Sequence, residues 1–217
     1  MQHYSVLEGL TVNAIGDSYI APSDKQFKWP DLLRDKYHME LYNEGIGGST
    51  VSSFVTDRNP MCERYDRLPE NSPHVVIIEG GRNDFNNRVP LGDAATRDPK
   101  TYSGALNVIA DALRAKYPKA MFVFISVWNF PNKPEISLTY RDYANAMHAV
   151  ADGQNAYFIE ACNEKESLVD MSDREFRARY SKNADDPSHL NEDGMRLVFP
   201  FFERRLAECY TDFVSKQ

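Results

Sequence analysis

Apolar residues gather along this chain in two kinds of run. Short, nearly continuous ones cover residues 10–15 (LTVNAI), 74–78 (HVVII), 121–127 (MFVFISV) and 156–160 (AYFIE), with a briefer one at 39–42 (MELY). Runs of that length, apolar at successive positions, predict strands buried on both faces. Longer amphipathic stretches lie between them. Over residues 101–117, Leu106, Ile109, Ala110, Leu113 and Tyr117 fall on one face of a helix. Residues 138–151 also read as helical. The last segment opens on Asn191 as a helix N-cap, followed by the acids Glu192 and Asp193, which suit the positive end of a helix. Val198, Phe202, Leu206, Cys209 and Phe213 form its apolar stripe, and Pro200 predicts a kink inside it.

Strands alternating with helices imply an α/β fold with a parallel sheet covered on both faces. Five strands in this length predict a flavodoxin-like three-layer α/β/α sandwich with a five-stranded parallel sheet. The chain has 217 residues and no internal repeat, low-complexity segment or linker-like shift in composition, which predicts a single domain over residues 1–217. In open sheets of this kind ligands sit at the carboxyl ends of the strands. The residues just after each strand are therefore where chemistry is to be sought.

Composition narrows the choice of partner. A formal net charge of -7 opposes a sequence-independent grip on nucleic acid or on an anionic membrane. No apolar stretch is long enough to predict a membrane span. The first residues, MQHYSVLEGLTV, lack a basic region followed by an apolar one, so the chain reads as cytoplasmic; a leader removed from a longer precursor would leave the same picture. Cys62, Cys162 and Cys209 are odd in number and widely spaced, which fits reduced thiols better than a disulfide framework. Neither CxxC nor HExxH spacing occurs, so no metal site is expected. Oligomeric state is not legible.

Four polar blocks follow the strands or precede the last helix: Gly16-Asp17-Ser18, NEGIGGST (43–50), EGGRNDF (79–85) and DDPSHLN (185–191). A serine hydroxyl is a weak nucleophile that needs an adjacent base, itself oriented by a third group, and the oxyanion it generates needs hydrogen-bond donors. Ser18 is the candidate nucleophile, His189 the candidate base and Asp186 its orienter. Pro187 biases Asp186 toward an extended backbone and a turn that folds the carboxylate back toward the ring. Asp185 is one residue farther from His189. Gly48 offers an unobstructed backbone N–H and Asn83 a side-chain amide. Each block alone has a plainer reading. Asp17 and Ser18 serve equally well as a helix cap, GIGGST as a glycine-rich turn, and DDPSH as a solvated acidic loop. The glycine block lacks the lysine and spacing of a phosphate loop, which speaks against a nucleotide or flavin binder. No G-x-S-x-G elbow occurs. His38 and His148 lie in helical patterns, His74 begins a strand and His3 lies in the terminus; all four read as non-catalytic.

Taken in order, the blocks resemble those of the SGNH hydrolases, the GDSL-type esterases and lipases. Gly16-Asp17-Ser18 matches the first block; Asn43, Gly45 and Gly48 the second; Gly81, Asn83 and Asp84 the third; Asp186 and His189 the last. The resemblance implies Ser18 as nucleophile and His189 as general base and then acid, with Asp186 fixing its tautomer. It also implies an oxyanion hole made of the Ser18 and Gly48 N–H groups and the Asn83 amide, in a cofactor-independent esterase acting on small-molecule esters. Tyr19 stands where the family pattern has leucine, and is expected to narrow or polarise the pocket.

Two loops bear on substrate. Residues 85–100 are long, polar and charged and are expected to line the entrance. Residues 128–135 bring Trp128 and Phe130 to the same end of the sheet, either as a platform for a sugar ring or short acyl chain, or packed beneath the loop. Neither loop supplies a broad apolar lid, which favours short acyl or acetylated-carbohydrate esters over long lipids. Alternatives of the same constellation are a lysophospholipase or thioesterase, or a binding module that keeps the fold without the chemistry.

Overall fold

The computed structural model describes residues 4–217, so His3 lies outside the described residues. In chain order the elements are β1 (Thr11–Gly16), α1 (Trp29–Tyr37), β2 (Glu40–Gly45), β3 (Val75–Gly80), α2 (Arg82–Asn86), α3 (Tyr102–Lys116), β4 (Met121–Ser126), α4 (Tyr140–Gly153), β5 (Tyr157–Ile159), α5 (Glu164–Ser167), α6 (Arg174–Tyr180) and α7 (Glu192–Ser215). All five strands are parallel, in the order β2-β1-β3-β4-β5. This is the flavodoxin-like order, with the chain reversing direction across the sheet beside β1 and β3. Every residue of β3 and β4 is buried, as the unbroken apolar runs require of central strands.

Helices α1 and α7 cover one face and α3 and α4 the other. Trp29 stacks on Phe202 at 4.2 Å between ring centres, and Tyr37 donates its hydroxyl to the buried Glu203 at 2.8 Å, which also pairs with Lys36. On the opposite face Tyr102 meets Tyr143 edge-on at 5.1 Å. Such pairs add about 0.5–1.5 kcal/mol to the burial of their area.

Asn191 caps α7 through its side-chain oxygen, which accepts the Gly194 N–H at 2.9 Å. The element then runs as one helix through Pro200, which faces solvent, where water can serve the carbonyl that proline leaves without a donor. His38 departs from the helical pattern expected of it. It is the residue at which α1 stops, in the left-handed region at φ +50°, with its ring 2.6 Å from Glu8. His74 accepts the Thr11 N–H at 2.9 Å and so ties β3 to the start of β1. All three cysteines are free and buried. Among the described residues no helix is long and apolar enough to cross a membrane.

Candidate active site

Where β1 ends, the chain turns tightly. Ile20 and Ala21 donate their N–H groups to the Asp17 carbonyl at 3.3 and 2.9 Å, and the buried Asp17 carboxyl accepts the Tyr19 N–H at 3.0 Å. The two readings of the tripeptide thus divide between neighbours. Asp17 caps the turn, and Ser18, half-buried at its apex, directs its Oγ to His189 Nε2 at 3.1 Å.

His189 and Asp186 share one loop. Asp186 Oδ2 lies 3.0 Å from His189 Nδ1, while Oδ1 accepts the N–H groups of Ser188 at 2.8 Å and His189 at 3.0 Å. An ionised carboxylate only accepts, so Nδ1 carries the imidazole proton and Nε2 is left as acceptor toward Ser18. The loop is fastened from several directions. Ser181 and Leu190 pair as an antiparallel bridge, and the Ser181 hydroxyl lies 2.7 Å from the Asp186 carbonyl and 2.8 Å from that of His189. Trp128 Nε1 donates to the Ser188 carbonyl at 3.0 Å, Arg82 Nε to the Ser188 hydroxyl at 3.0 Å, and Gln26 to the Leu190 carbonyl at 2.8 Å.

The second block is stitched to the first. Asn43 donates to the Ile20 carbonyl at 2.7 Å and accepts the Gly45 N–H at 2.9 Å. Gly45 approaches the Ala21 backbone so closely that a Cβ there would lie 2.7 Å from its Cα, which only glycine permits. Gly48 needs glycine for another reason, its φ of +79°. Among the described residues neither the Ser18 nor the Gly48 N–H is donated to an acceptor. Asn83, at the start of α2, donates its amide to the Ser49 carbonyl at 2.9 Å and to Asp17 Oδ2 at 3.2 Å. Ser18, Gly48 and Asn83 therefore converge on one end of the sheet, as the strand-end rule requires.

Buried charged side chains support this cluster: Asp84 belongs to the matched third block, whereas Arg64 and Glu79 carried no assigned role. Arg64, buried, donates to the Gly16 carbonyl at 2.9 Å, the Ser49 hydroxyl at 2.9 Å and the Asn59 carbonyl at 3.0 Å, and also to the Glu44 carbonyl. One guanidinium thus ties the ends of β1 and β2 to the glycine loop. Asp84 accepts the N–H groups of Val51 at 2.9 Å and Ser52 at 3.1 Å, and Glu79 accepts that of Asp17 at 3.2 Å. Glu79 had one visible signal, an acid inside an otherwise apolar strand. Arg64 sits in a segment without periodicity and had none.

Of the two placements open to Trp128 and Phe130, packing beneath the loop is the one found, not a platform for substrate. Trp128 and Phe130 are each 1% exposed and Tyr19 2%. Tyr19 stacks on Trp128 at 3.9 Å with an interplanar angle of 6° and meets the His189 ring edge-on at 6.4 Å. Phe130 packs on Phe85 at 4.8 Å and lies under the Arg82 guanidinium. Rings covered in this way have no face left for a sugar; they back the His189 loop instead. Residues 94–97 of segment 85–100 are held against α3. Asn107 of α3 holds the Ala94 and Thr96 carbonyls at 2.8 and 2.9 Å, and Arg97 pairs with Asp111 at 2.9 Å. Asn86 and Asn87, near the start of that segment, stay beside Asn83, whose carbonyl accepts from Asn87 at 2.7 Å.

Burial sets the protonation of the acids beneath the site. It pushes Asp17 up to about 7, against the Tyr19 N–H and reinforced by Asp84, and it pushes Asp84 up to about 6. Glu79 is driven well above the carboxylate range for the same reason. Burial lowers His189, and the Asp186 hydrogen bond and charge only partly restore it, while Lys182 and Lys28 lower it further. Burial raises Asp186, but the Ser188 N–H and the His189 ring outweigh it and hold the carboxyl below its usual range. At neutral pH the site therefore holds a neutral imidazole against an ionised carboxylate.

Solved structures of similar fold span nearly the whole chain. A Lactobacillus plantarum protein is 22% identical, with a TM-score of 0.77 over 97% of this chain and 98% of its own. A candidate GDSL-like lipase from Bacteroides uniformis is 17% identical, with a TM-score of 0.65 over 92% and 96%. A variant of an acetyl xylan esterase from Geobacillus stearothermophilus is 18% identical, with a TM-score of 0.63 over 92% and 95%. Among curated proteins none matches the sequence. The model of the GDSL-like Lipase/Acylhydrolase family matches residues 14–197, a span that takes in Ser18, Gly48, Asn83, Asp186 and His189, and the chain accordingly belongs to that family of hydrolases.

Proposed function

We propose that this hydrolase is a serine esterase acting on short-acyl or acetylated-carbohydrate esters through an acyl-enzyme. The observation that carries the reading is His189 bridging Ser18 at 3.1 Å and Asp186 at 3.0 Å. His189 Nε2 takes the Ser18 proton as Oγ attacks the ester carbonyl. The tetrahedral oxyanion is met by the Ser18 and Gly48 N–H groups and by Asn83, which gives up its long bond to Asp17. His189 then returns the proton to the departing alcohol, leaving acyl-Ser18. Water, deprotonated by the same imidazole, completes hydrolysis. A polar rim of Asn83, Asn86 and Asn87, with the large aromatics sealed below, supports short acyl groups. The acetyl xylan esterase of the same fold supports acetylated carbohydrate as one source of them.

Hydrolysis of p-nitrophenyl esters from acetate to dodecanoate tests the substrate class. Expected is the highest kcat/KM at acetate to butyrate; efficient turnover of dodecanoate with negligible acetate turnover would overturn it. Asn83→Ala is expected to lower kcat by roughly 10²–10³-fold with a smaller change in KM, since the lost donor acts on charge that develops in the transition state. The pH profile has a definite sign. The base works as neutral imidazole and its pKa is lowered, so kcat/KM rises with pH through a midpoint below 6.5 and is level by neutrality. A profile flat from pH 4 to 8, or a midpoint above 7, excludes this base.

A further inference from the structure

Arg82, between the motif positions Gly81 and Asn83 of the third block, is not consumed by this mechanism. Its guanidinium lies 4.0 Å above the centre of the Phe130 ring, donates through Nε to Ser188 at 3.0 Å and through Nη1 to Asn86 Oδ1 at 2.9 Å. Lys133, reaching in from the loop after β4, donates to that same Asn86 oxygen at 2.9 Å. Two cations therefore converge on one neutral acceptor, which holds their nitrogens within about 6 Å of each other, a repulsive arrangement. Among the described residues no carboxylate forms an ion pair with either. The neighbouring acids are otherwise placed: Asp84 is spent on the Val51 and Ser52 N–H groups and Asp186 on the His189 loop, while Glu135 is exposed. Arg82 is buried as a whole at 6% exposure, but its Nη2 has no hydrogen-bond partner among the described residues and keeps some solvent contact. The pair is next to the chemistry. Arg82 precedes Asn83 and holds the residue before His189, and its charge reaches Asp17 and Tyr19.

We propose that Arg82, Asn86 and Lys133 form an anion subsite beside Ser18 and His189, which selects esters whose acid or alcohol portion carries a carboxylate or phosphate group. The proposal rests on the esterase reading of the same site. An anion seated between the two cations relieves their repulsion and receives charge-assisted hydrogen bonds from Nη2 and Nζ, a combination unavailable to a neutral ester. It also gives local attraction on a protein whose net charge is -7 and whose long-range field repels anions.

The test compares an anionic ester with a neutral partner that keeps the same reacting ester. In one arm the charge is on the alcohol (para-acetoxybenzoate against para-acetoxybenzamide). In the other it is on the acid (p-nitrophenyl hydrogen glutarate against p-nitrophenyl pentanoate). The reading is the anionic-to-neutral ratio of kcat/KM relative to wild type, so intrinsic reactivity cancels. Lys133→Gln is expected to lower that ratio about tenfold or more in at least one arm, mainly through KM, and the arm affected identifies which side of the ester the subsite faces. Lys133→Arg should retain most of it. Lys119→Gln, the same charge change on an exposed lysine at the amino end of β4, should leave both rates unchanged. Ser18→Ala protein titrated calorimetrically with the unreactive amides para-acetamidobenzoate and glutaranilate, and with their neutral counterparts, should bind an anionic one more tightly, and Lys133→Gln in that background should abolish the preference. Ratios unmoved by Lys133→Gln in both arms, with no anionic preference in binding, would overturn the subsite while leaving the esterase standing. Absence of any ester hydrolysis with Lys133-dependent anion binding retained would remove the esterase reading and support the subsite.

Discussion

Ser18→Ala and His189→Ala are each expected to lower kcat/KM for p-nitrophenyl acetate by roughly 10³-fold or more, and the double variant to lose little beyond either one. The reason is that the hydroxyl and the imidazole act as one unit. Without Nε2 as proton acceptor the Ser18 hydroxyl stays a weak nucleophile, and without Oγ the imidazole has nothing to activate except water. What survives is the oxyanion environment of Gly48 and Asn83, which neither change touches. Both variants should fold as wild type, because among the described residues Ser18 Oγ bonds only to His189 and the loop bearing His189 is anchored through its backbone and Ser188. Far-ultraviolet circular dichroism and melting temperature check this. Wild-type turnover in either variant would remove the nucleophile–base assignment.

Asp186→Asn is the second large effect, about 10³–10⁴-fold in kcat, and the structure explains why so small a change matters. Oδ1 of Asp186 accepts two backbone N–H groups, from Ser188 and His189. Asparagine has one oxygen and must place it there, since its NH₂ group cannot face two donors. Its NH₂ then faces His189 Nδ1, which must become an acceptor, and the imidazole proton moves to Nε2, where it points at Ser18. The turn is preserved and the tautomer is wrong. Asp186→Ala loses the turn contacts yet imposes no tautomer, so Asp186→Asn is expected to be at least as inactive as the alanine variant while melting at a higher temperature. Activity in Asp186→Asn within tenfold of wild type would show that Asp186 does not set the proton position.

Much of this was legible in the chain. The strands were found within a few residues because a buried parallel strand has no alternative to a short apolar run, and β3 and β4 are such runs. Their parallel pairing followed from alternation with helices. The candidate residues could be sought at strand ends because an open parallel sheet brings distant polar residues together there. Legibility failed wherever depth decided the role. Trp128 and Phe130 lie in a loop of mixed polarity, and nothing local distinguishes a ring lying on a surface from one stacked on Tyr19 and bonded to Ser188, or packed between Phe85 and Arg82. Arg64 looks like any charged residue in an irregular segment; only the closure of the sheet brings three strand-end and loop carbonyls to its guanidinium. Tyr19, expected to narrow or polarise the pocket, is instead buried, with its ring meeting the imidazole edge-on. In each case the missing information is tertiary, since neither period nor motif encodes which face of a loop is covered.

The base and its orienting acid are three residues apart on a single turn, whereas Ser18 and His189 are separated by 171 positions. The first contact closes a very small loop at little entropic cost, and the second requires almost the whole chain to be in place. The imidazole–carboxylate pair is thus a local assembly that survives as long as its turn does. Its register against the nucleophile is a property of the entire polypeptide, held through Gln26, Arg82 and Trp128. Any sub-global opening that frees the 181–190 segment separates the two halves of the constellation while the sheet is still intact, so catalysis reports on the docking of that segment rather than on the survival of the fold.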